Sequence, residues 1–284
     1  MIKLIECPRD AMQGLPDFIP TADKVRYLNQ LLKVGFHTLD FGSFVSPKAM
    51  PQMRDTAEVL ENLQWQGSRT KLLAIVANLR GAEAAVQYES IAYLGFPLSI
   101  SETFQQRNTN KSISEALETV TGIQELCAKH GKEQVVYISM GFGNPYGDPY
   151  SEDAVIQFAG ILADLKVNII SLADTIGAAT PHQIFSLFKQ VTQALPELEI
   201  GVHLHARPDQ AVEKVNSAFQ AGCRRMDGAL RGYGGCPMAQ DELVGNIPTE
   251  KIIAWLEKSG IETGINPTEL QKAMLMAAEI FPNR

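Results

Sequence analysis

Short apolar runs rich in β-branched residues alternate with longer amphipathic stretches along the whole chain, the pattern of repeated β-α units. Eight runs read as strands, at positions 2–6, 38–41, 71–77, 90–94, 134–139, 168–172, 199–203 and 225–230. Between them, apolar residues recur at helical spacing over 21–34, 113–130, 151–165, 181–193 and 208–221. Four of these helices carry a hydroxyl start signal: Thr21 ahead of Lys24, Ser112 ahead of Glu115, Ser151 ahead of Ala154, and Thr180 with Pro181 next to it.

Eight alternations without a Pro- or Ser-rich linker predict an α/β fold, a (β/α)8 TIM barrel. The reading is one catalytic domain over 1–284, with a C-terminal helical extension from about residue 247. An open doubly wound sheet is the alternative. The first strand, however, lacks the Gly-x-Gly-x-x-Gly turn that would point to a dinucleotide.

Composition narrows the partners. With 45% hydrophobic and 20% charged residues the chain is of the globular type. A net charge of −7 excludes a broad basic footprint for nucleic acid or for an anionic membrane. The apolar start at Ile2 meets Pro8-Arg9-Asp10 too soon for a signal-peptide core, and no apolar run reaches spanning length, so a soluble, cytoplasmic protein is expected. Cys7, Cys127, Cys223 and Cys236 form no Cys-x-x-Cys pair, and reduced thiols are expected.

In a barrel of this kind the reactive groups belong at strand C-terminal ends. Arg9 and Asp10 follow strand one, Asp40 and Ser43 end strand two, Asp174 follows strand six, and His203 and His205 end strand seven. Alternate residues of a strand face the same side, so both imidazoles of Val202-His203-Leu204-His205 can converge on one ion while Leu204 faces away. An isolated pair of this spacing equally fits one packed and one loop histidine; the strand-end position favours a metal. Asp10 would add an oxygen donor, although an ion pair with Arg9 explains it as well. A mixed nitrogen and oxygen site without thiolate suits magnesium or manganese better than structural zinc. The glycine-rich segment Gly232-Tyr233-Gly234-Gly235-Cys236-Pro237 would carry a thiol on the same face, or would be an ordinary turn with a bystander cysteine. By pattern alone, Ser43 to Lys48 is a surface loop and Asn246 a turn residue.

Together these segments resemble the hydroxymethylglutaryl-CoA lyase family of barrel metallolyases. The likeness runs through Pro8-Arg9-Asp10-Ala11-Met12-Gln13, Ser43-Phe44-Val45-Ser46-Pro47-Lys48, Asp174-Thr175-Ile176-Gly177, Val202-His203-Leu204-His205, Gly234-Gly235-Cys236-Pro237 and Gly245-Asn246. The Arg-Asp and His-x-His elements are shared with related synthases and aldolases. The Ser-Phe-Val-Ser-Pro-Lys stretch and the Gly-Gly-Cys-Pro loop are particular to the lyases.

The resemblance implies Mg2+ or Mn2+ held by Asp10, His203, His205 and Asn246, with Arg9 and Cys236 acting in the reaction and Asp174 near the substrate. Gln13, Ser43, Lys48, Asn78 and Arg80 become the candidate contacts for an acyl-CoA. The implied reaction yields acetyl-CoA and acetoacetate, chemistry suited to leucine breakdown or ketone-body formation. Two alternatives accompany it: a related metallolyase acting on another hydroxy acid, and a non-catalytic acyl-CoA or metal-binding relative. Asp40 stands where the family usually has Glu, and a carboxylate shorter by one methylene is expected to need a water or a shifted Arg9 to keep contact. Ala11-Met12, Ala206-Arg207 and Tyr233 are further departures. Apolar surface on the C-terminal helices would support a homodimer.

Overall fold

Each predicted strand is present in the computed structural model, which describes residues 2–235 and 244–281. The parallel strands are β1 (Lys3–Glu6), β2 (Thr38–Ser43), β3 (Lys71–Ile75), β4 (Ile91–Ser99), β5 (Glu133–Ser139), β6 (Ile169–Asp174), β7 (Glu199–Ala206) and β8 (Arg225–Gly228). They pair in chain order, and β8 returns to pair with β1 over Lys3 to Glu6, which closes the barrel. A short β9 (Gly245–Asn246) adds antiparallel to the end of β7, opposing Asn246 to His205.

The helices follow in order: α1 (Pro8–Gln13), α2 (Thr21–Val34), α3 (Thr56–Glu61), α4 (Leu79–Ala85), α5 (Glu102–Thr109) and α6 (Ile113–Lys129). They continue as α7 (Glu152–Asp164), α8 (Pro181–Ala194), α9 (Ala211–Gln220), α10 (Thr249–Lys258) and α11 (Pro267–Ile280). No described helix is long and apolar enough to cross a membrane.

The two-residue period of the strands divides the apolar residues into two cores. Leu72, Ala74, Leu94, Phe96, Val136, Ile138, Ile170 and Leu172 face outward and pack with Leu28, Leu31, Val120 and Leu187 of the helices. The opposite phase, Leu73, Ile75, Tyr93, Val135, Tyr137 and Ile169, makes a smaller cluster inside the barrel. A barrel interior is a filled core rather than a pore, and here its upper part is given over to polar groups.

Three of the four start signals act as expected. Ser112 with Glu115 and Thr180 with Gln183 form reciprocal capping boxes, and the Ser151 hydroxyl accepts from the Ala154 N–H. Thr21 does not cap α2. The cap position is Pro20, and the Thr21 hydroxyl donates to Asp55 instead. The segment after β1, where the pattern predicted no helix, forms α1, with Pro8 preset at its first turn. That one turn stacks Gln13 over both Arg9 and Asp10, at four- and three-residue spacing.

The C-terminal helices are mostly used within the chain. Ala273 and Ala277 of α11 are buried, Gln30 of α2 donates to the Glu269 carbonyl at 2.9 Å, and Tyr27 meets Phe281 edge-on at 5.9 Å. The side of α11 that carries Ala273 and Ala277 is thus covered, while Leu275 is exposed and Leu270, Met274 and Met276 are half-buried, which leaves apolar surface of the kind read as a dimer face.

Candidate active site

His203 and His205 both point into the barrel mouth, with ring centroids 5.1 Å apart, while Leu204 is buried in the outer core. Ligand atoms of Asp10, His203 and His205 all lie within 4.8 Å of one another. Each ring is held through Nδ1: His203 against Asp227 Oδ2 at 3.1 Å, and His205 against the Thr175 carbonyl at 2.9 Å. The His205 Nε2 atom is buried and has no hydrogen-bond partner among the described residues. Such an orphan is rare unless another species satisfies it. Two imidazoles and a carboxylate, with one imidazole nitrogen buried unpaired, fit a divalent cation.

A second grouping, Cys7, His203 and Asp227, also lies within 4.8 Å. It draws on the same imidazole that Asp227 already engages, so the two groupings compete for His203. Burial, with Asp227, Asp40 and Asp10 nearby, pushes the Cys7 thiol well up, away from the thiolate a metal requires.

Arg9 lies beside this cluster. Its Nε is 3.1 and 3.2 Å from the two Asp40 oxygens, its Nη2 is 2.5 Å from Asp40 Oδ2, and its Nη1 reaches Asp10 at 3.1 Å and Gln13 at 2.9 Å. Burial alone would loosen the Arg9 proton, but Asp40 and Asp10 outweigh it and hold the guanidinium firmly charged. Burial lifts Asp40 to about 6 against the pull of Arg9, which leaves it ionised at neutral pH. For Asp10 burial acts upward too, yet Arg9, His203, His205 and the Asn246 hydrogen bond carry it down to about 2. The shorter carboxylate at position 40 contacts Arg9 directly, with no bridging water needed, because β2 runs close to α1.

These groups line a cavity of about 340 Å³, together with Tyr137, Ser139, Asn108 and Thr109 and an apolar wall of Val45, Met50, Ile75 and Pro97. A wider groove of about 490 Å³ runs over Lys33 and Arg69 outside the barrel and holds none of them.

Other predicted positions fall differently. Asp174 is on the outward phase of β6; its carboxylate takes Lys214 Nζ at 2.7 Å and the Ala179 N–H at 3.1 Å, while its neighbours Ala173 and Thr175 line the cavity. It is thus turned away from the place a substrate would occupy. Lys214 also donates to the carbonyls of His205 and Gly177, bracing the strand end that carries the second histidine. Ser43 is buried with its hydroxyl accepting from the Val45 N–H, a loop contact rather than a cavity one. Asn78 caps α4 by accepting from the Gly81 N–H. Asn78, Arg80 and Lys48 are exposed beside residues 77 and 49, which do line the cavity.

Asn246 arrives at Asp10, but with its Nδ2 donating to Asp10 Oδ2 at 2.6 Å and to the Tyr233 carbonyl at 2.9 Å. The nitrogen end of its amide, not the ligating oxygen, faces the carboxylate. Cys236 lies outside the described residues. The chain leading to it is seated on α1: a Cβ at Gly234, whose φ is +82°, would fall 2.6 Å from the Asp10 carbonyl oxygen. Glycine is needed there for the backbone to approach and to take that conformation. Asp227, Thr175 and Lys214 were not singled out from sequence. Asp227 had a usable signal, a carboxylate on the inward phase of a buried strand.

A closed parallel barrel whose C-terminal mouth pairs a fixed arginine with a cation-type donor set is a barrel enzyme with a candidate metal site, the class that fold and site define. The chain belongs to the HMGL-like family, whose model matches residues 2–276. It is 33% identical to a hydroxymethylglutaryl-CoA lyase of Bacillus subtilis over 94% of this chain and 88% of that one. To the mitochondrial hydroxymethylglutaryl-CoA lyase of Bos taurus it is 34% identical, over 96% and 83%. Its fold superposes on an HMG-CoA lyase from Acinetobacter baumannii, solved in complex with coenzyme A and 3-methylmalate, with TM-score 0.90 at 30% identity, covering 99% of this chain and 91% of that one.

Proposed function

We propose that this protein cleaves 3-hydroxy-3-methylglutaryl-CoA to acetyl-CoA and acetoacetate, a carbon–carbon lyase reaction. The observation that carries the reading is the meeting of Asp10, His203 and His205 within 4.8 Å beside the Arg9 guanidinium, at the mouth of a barrel whose relatives are lyases of this substrate. Asp10, His203 and His205 would hold a magnesium or manganese ion, with Asn246 as a fourth ligand if its amide presents oxygen. Bound there, the ion supplies Lewis acidity that lowers the pKa of a substrate hydroxyl.

The chain's own groups account for the rest. A base at the mouth takes the proton of the tertiary hydroxyl, the oxygen electron pair forms the ketone of acetoacetate, and the adjacent carbon–carbon bond breaks toward the thioester. The bond's electrons come to rest on the thioester oxygen as an enolate. Arg9 is suited to hold that oxygen: it stays charged, and Asp40 and Gln13 fix its plane before the charge develops. Cys236, one residue past the seated Gly235, would return a proton to the enolate carbon. The apolar wall of Val45, Met50, Ile75 and Pro97 suits the substrate's methyl and methylene groups. The exposed cations Lys48 and Arg80 beside the mouth would meet the nucleotide phosphates of coenzyme A.

The test is release of acetoacetate and acetyl-CoA in equal amounts from hydroxymethylglutaryl-CoA by purified protein with added Mg2+ or Mn2+. Loss of both products on chelation is expected, and absence of turnover with either ion would reject the reading. A second reading, a related lyase for another hydroxy acid, is favoured by Asp40, a carboxylate one methylene shorter than the family's usual Glu, which takes the Arg9 guanidinium directly. A panel of hydroxy acids and their thioesters separates the two.

A further inference from the structure

We propose that Asp227 is a positioning residue: through His203 it dictates which imidazole nitrogen is free to bind the cation at the mouth. Asp227 sits on β8 and His203 on the neighbouring β7, both on the inward phase, with Oδ2 3.1 Å from Nδ1. Asp227 is buried, and its other oxygen, Oδ1, has no hydrogen-bond partner among the described residues. A carboxylate oxygen accepts, so Nδ1 of His203 is the donor of this hydrogen bond, and in the neutral ring the lone pair is on Nε2. Nε2 is the atom left to face Asp10.

His205 reaches the same state by another route. Its Nδ1 donates to the Thr175 carbonyl, which also can only accept. The two rings of the pair are therefore set alike, one by backbone and one by a side chain, and only the His203 setting can be altered by substitution at its partner. A carboxylate behind a metal-binding histidine orients the ring and raises its basicity, and loss of such a partner typically weakens metal affinity by roughly 10–100-fold.

The competing arrangement is a cation held lower in the barrel by Cys7, His203 and Asp227 together. It would use Asp227 as a ligand and would recruit the thiol. In the arrangement proposed here Cys7 is a bystander, with its thiol turned to the Ile5 carbonyl.

The inference rests on the reading of His203 as a ligand, and its experiment separates the two. Side-chain 15N NMR of the metal-free protein reads the His203 form directly, with no substitution needed for the measurement itself. At a pH alkaline enough for the ring to be neutral, the Nδ1–H form is expected, and an Nε2–H form would overturn the proposal. Mn2+ binding by titration calorimetry supplies the second readout. Asp227→Asn should weaken Mn2+ about 10–100-fold, at least as much as Asp227→Ala, since the Asn amide can offer a proton to Nδ1 and turn the ring to the wrong form. Parental affinity in both variants, or a loss confined to Ala, would mean that Asp227 only fills space. Cys7→Ala should leave Mn2+ affinity unchanged; a loss like that of Asp227→Asn would place the cation in the lower site and sink the proposal. His203→Ala tests the ligand role separately: full affinity there, with an Nδ1–H ring in the parent, would reject the metal reading and leave the tautomer assignment standing.

Discussion

Asp40 grips the Arg9 guanidinium along its Nε edge, and the closest contact of the pair is 2.5 Å between Nη2 and Oδ2. The carboxylate comes from the end of β2 and the guanidinium from the turn of helix that follows β1, so two adjacent strands of the barrel fix one cation in space. Arg9→Lys preserves charge but cannot reproduce the two-sided contact. A fall in kcat of about 10²-fold or more is expected, of the size seen when an oxyanion donor is displaced. Asp40→Asn should act in the same direction. Mn2+ stoichiometry should persist in both variants, and near-parental kcat in either would remove Arg9 from the role assigned to it.

His205 offers a buried Nε2 with no partner among the described residues. His205→Ala is expected to lower Mn2+ affinity at least about tenfold, because an imidazole ligand is lost outright. Acid should do likewise. Metal binding requires neutral imidazole, and burial together with His203 holds His205 below the ordinary histidine range, so it takes up a proton less readily than an exposed histidine. Asp10, near 2, remains ionised throughout. Mn2+ affinity followed against pH should thus drop with histidine protonation and not with that of the carboxylate.

Lys214 and Asp174 form a buried pair behind the histidine strand. Lys214→Met leaves the Asp174 carboxylate without its cation and frees the carbonyls of His205 and Gly177. A loss of about 3–5 kcal/mol is expected for breaking such a pair. Converting Asp174 to Leu as well should recover much of it, since a paired apolar replacement leaves no charge stranded. Urea unfolding of the single and double variants measures both numbers.

Glu6 is fully buried, accepting from the Leu230 N–H at 2.8 Å and from the Thr249 hydroxyl at 2.5 Å. Burial pushes its pKa up to about 8, against the opposing hydrogen bonds. Between the ordinary carboxyl range near 4.5 and about 8, the folded chain keeps a proton that the unfolded chain has released. The contribution of Glu6 to stability is therefore full below that window and declines as pH rises through it, by at most about 1.4 kcal/mol per unit. Glu6→Gln carries no such proton. Its unfolding free energy should fall less between pH 5 and 8 than that of the parent, and parallel curves would refute the assignment.

The two periodicities of the chain determined the repeated β-α units. Period-two runs such as Val202 to His205, set between helical stretches with Ser112, Ser151 and Thr180 at their starts, encode eight such units locally, whereas closure, which an open doubly wound sheet would lack, was decided by β8 pairing with β1. The His-x-His pair and the strand-end placement of Arg9, Asp10 and Asp40 were legible for the same reason: strand alternation is a local property. What lay beyond sequence was anything that depends on which strands become neighbours. Asp227 stands behind His203 only because β8 lies beside β7, and the outward phase of Asp174 acquires its meaning only when α9 brings Lys214 over it. The direction of the Asn246 amide and the nearness of Asp40 to Arg9 are likewise set by distances across the barrel mouth, which no spacing along the chain records.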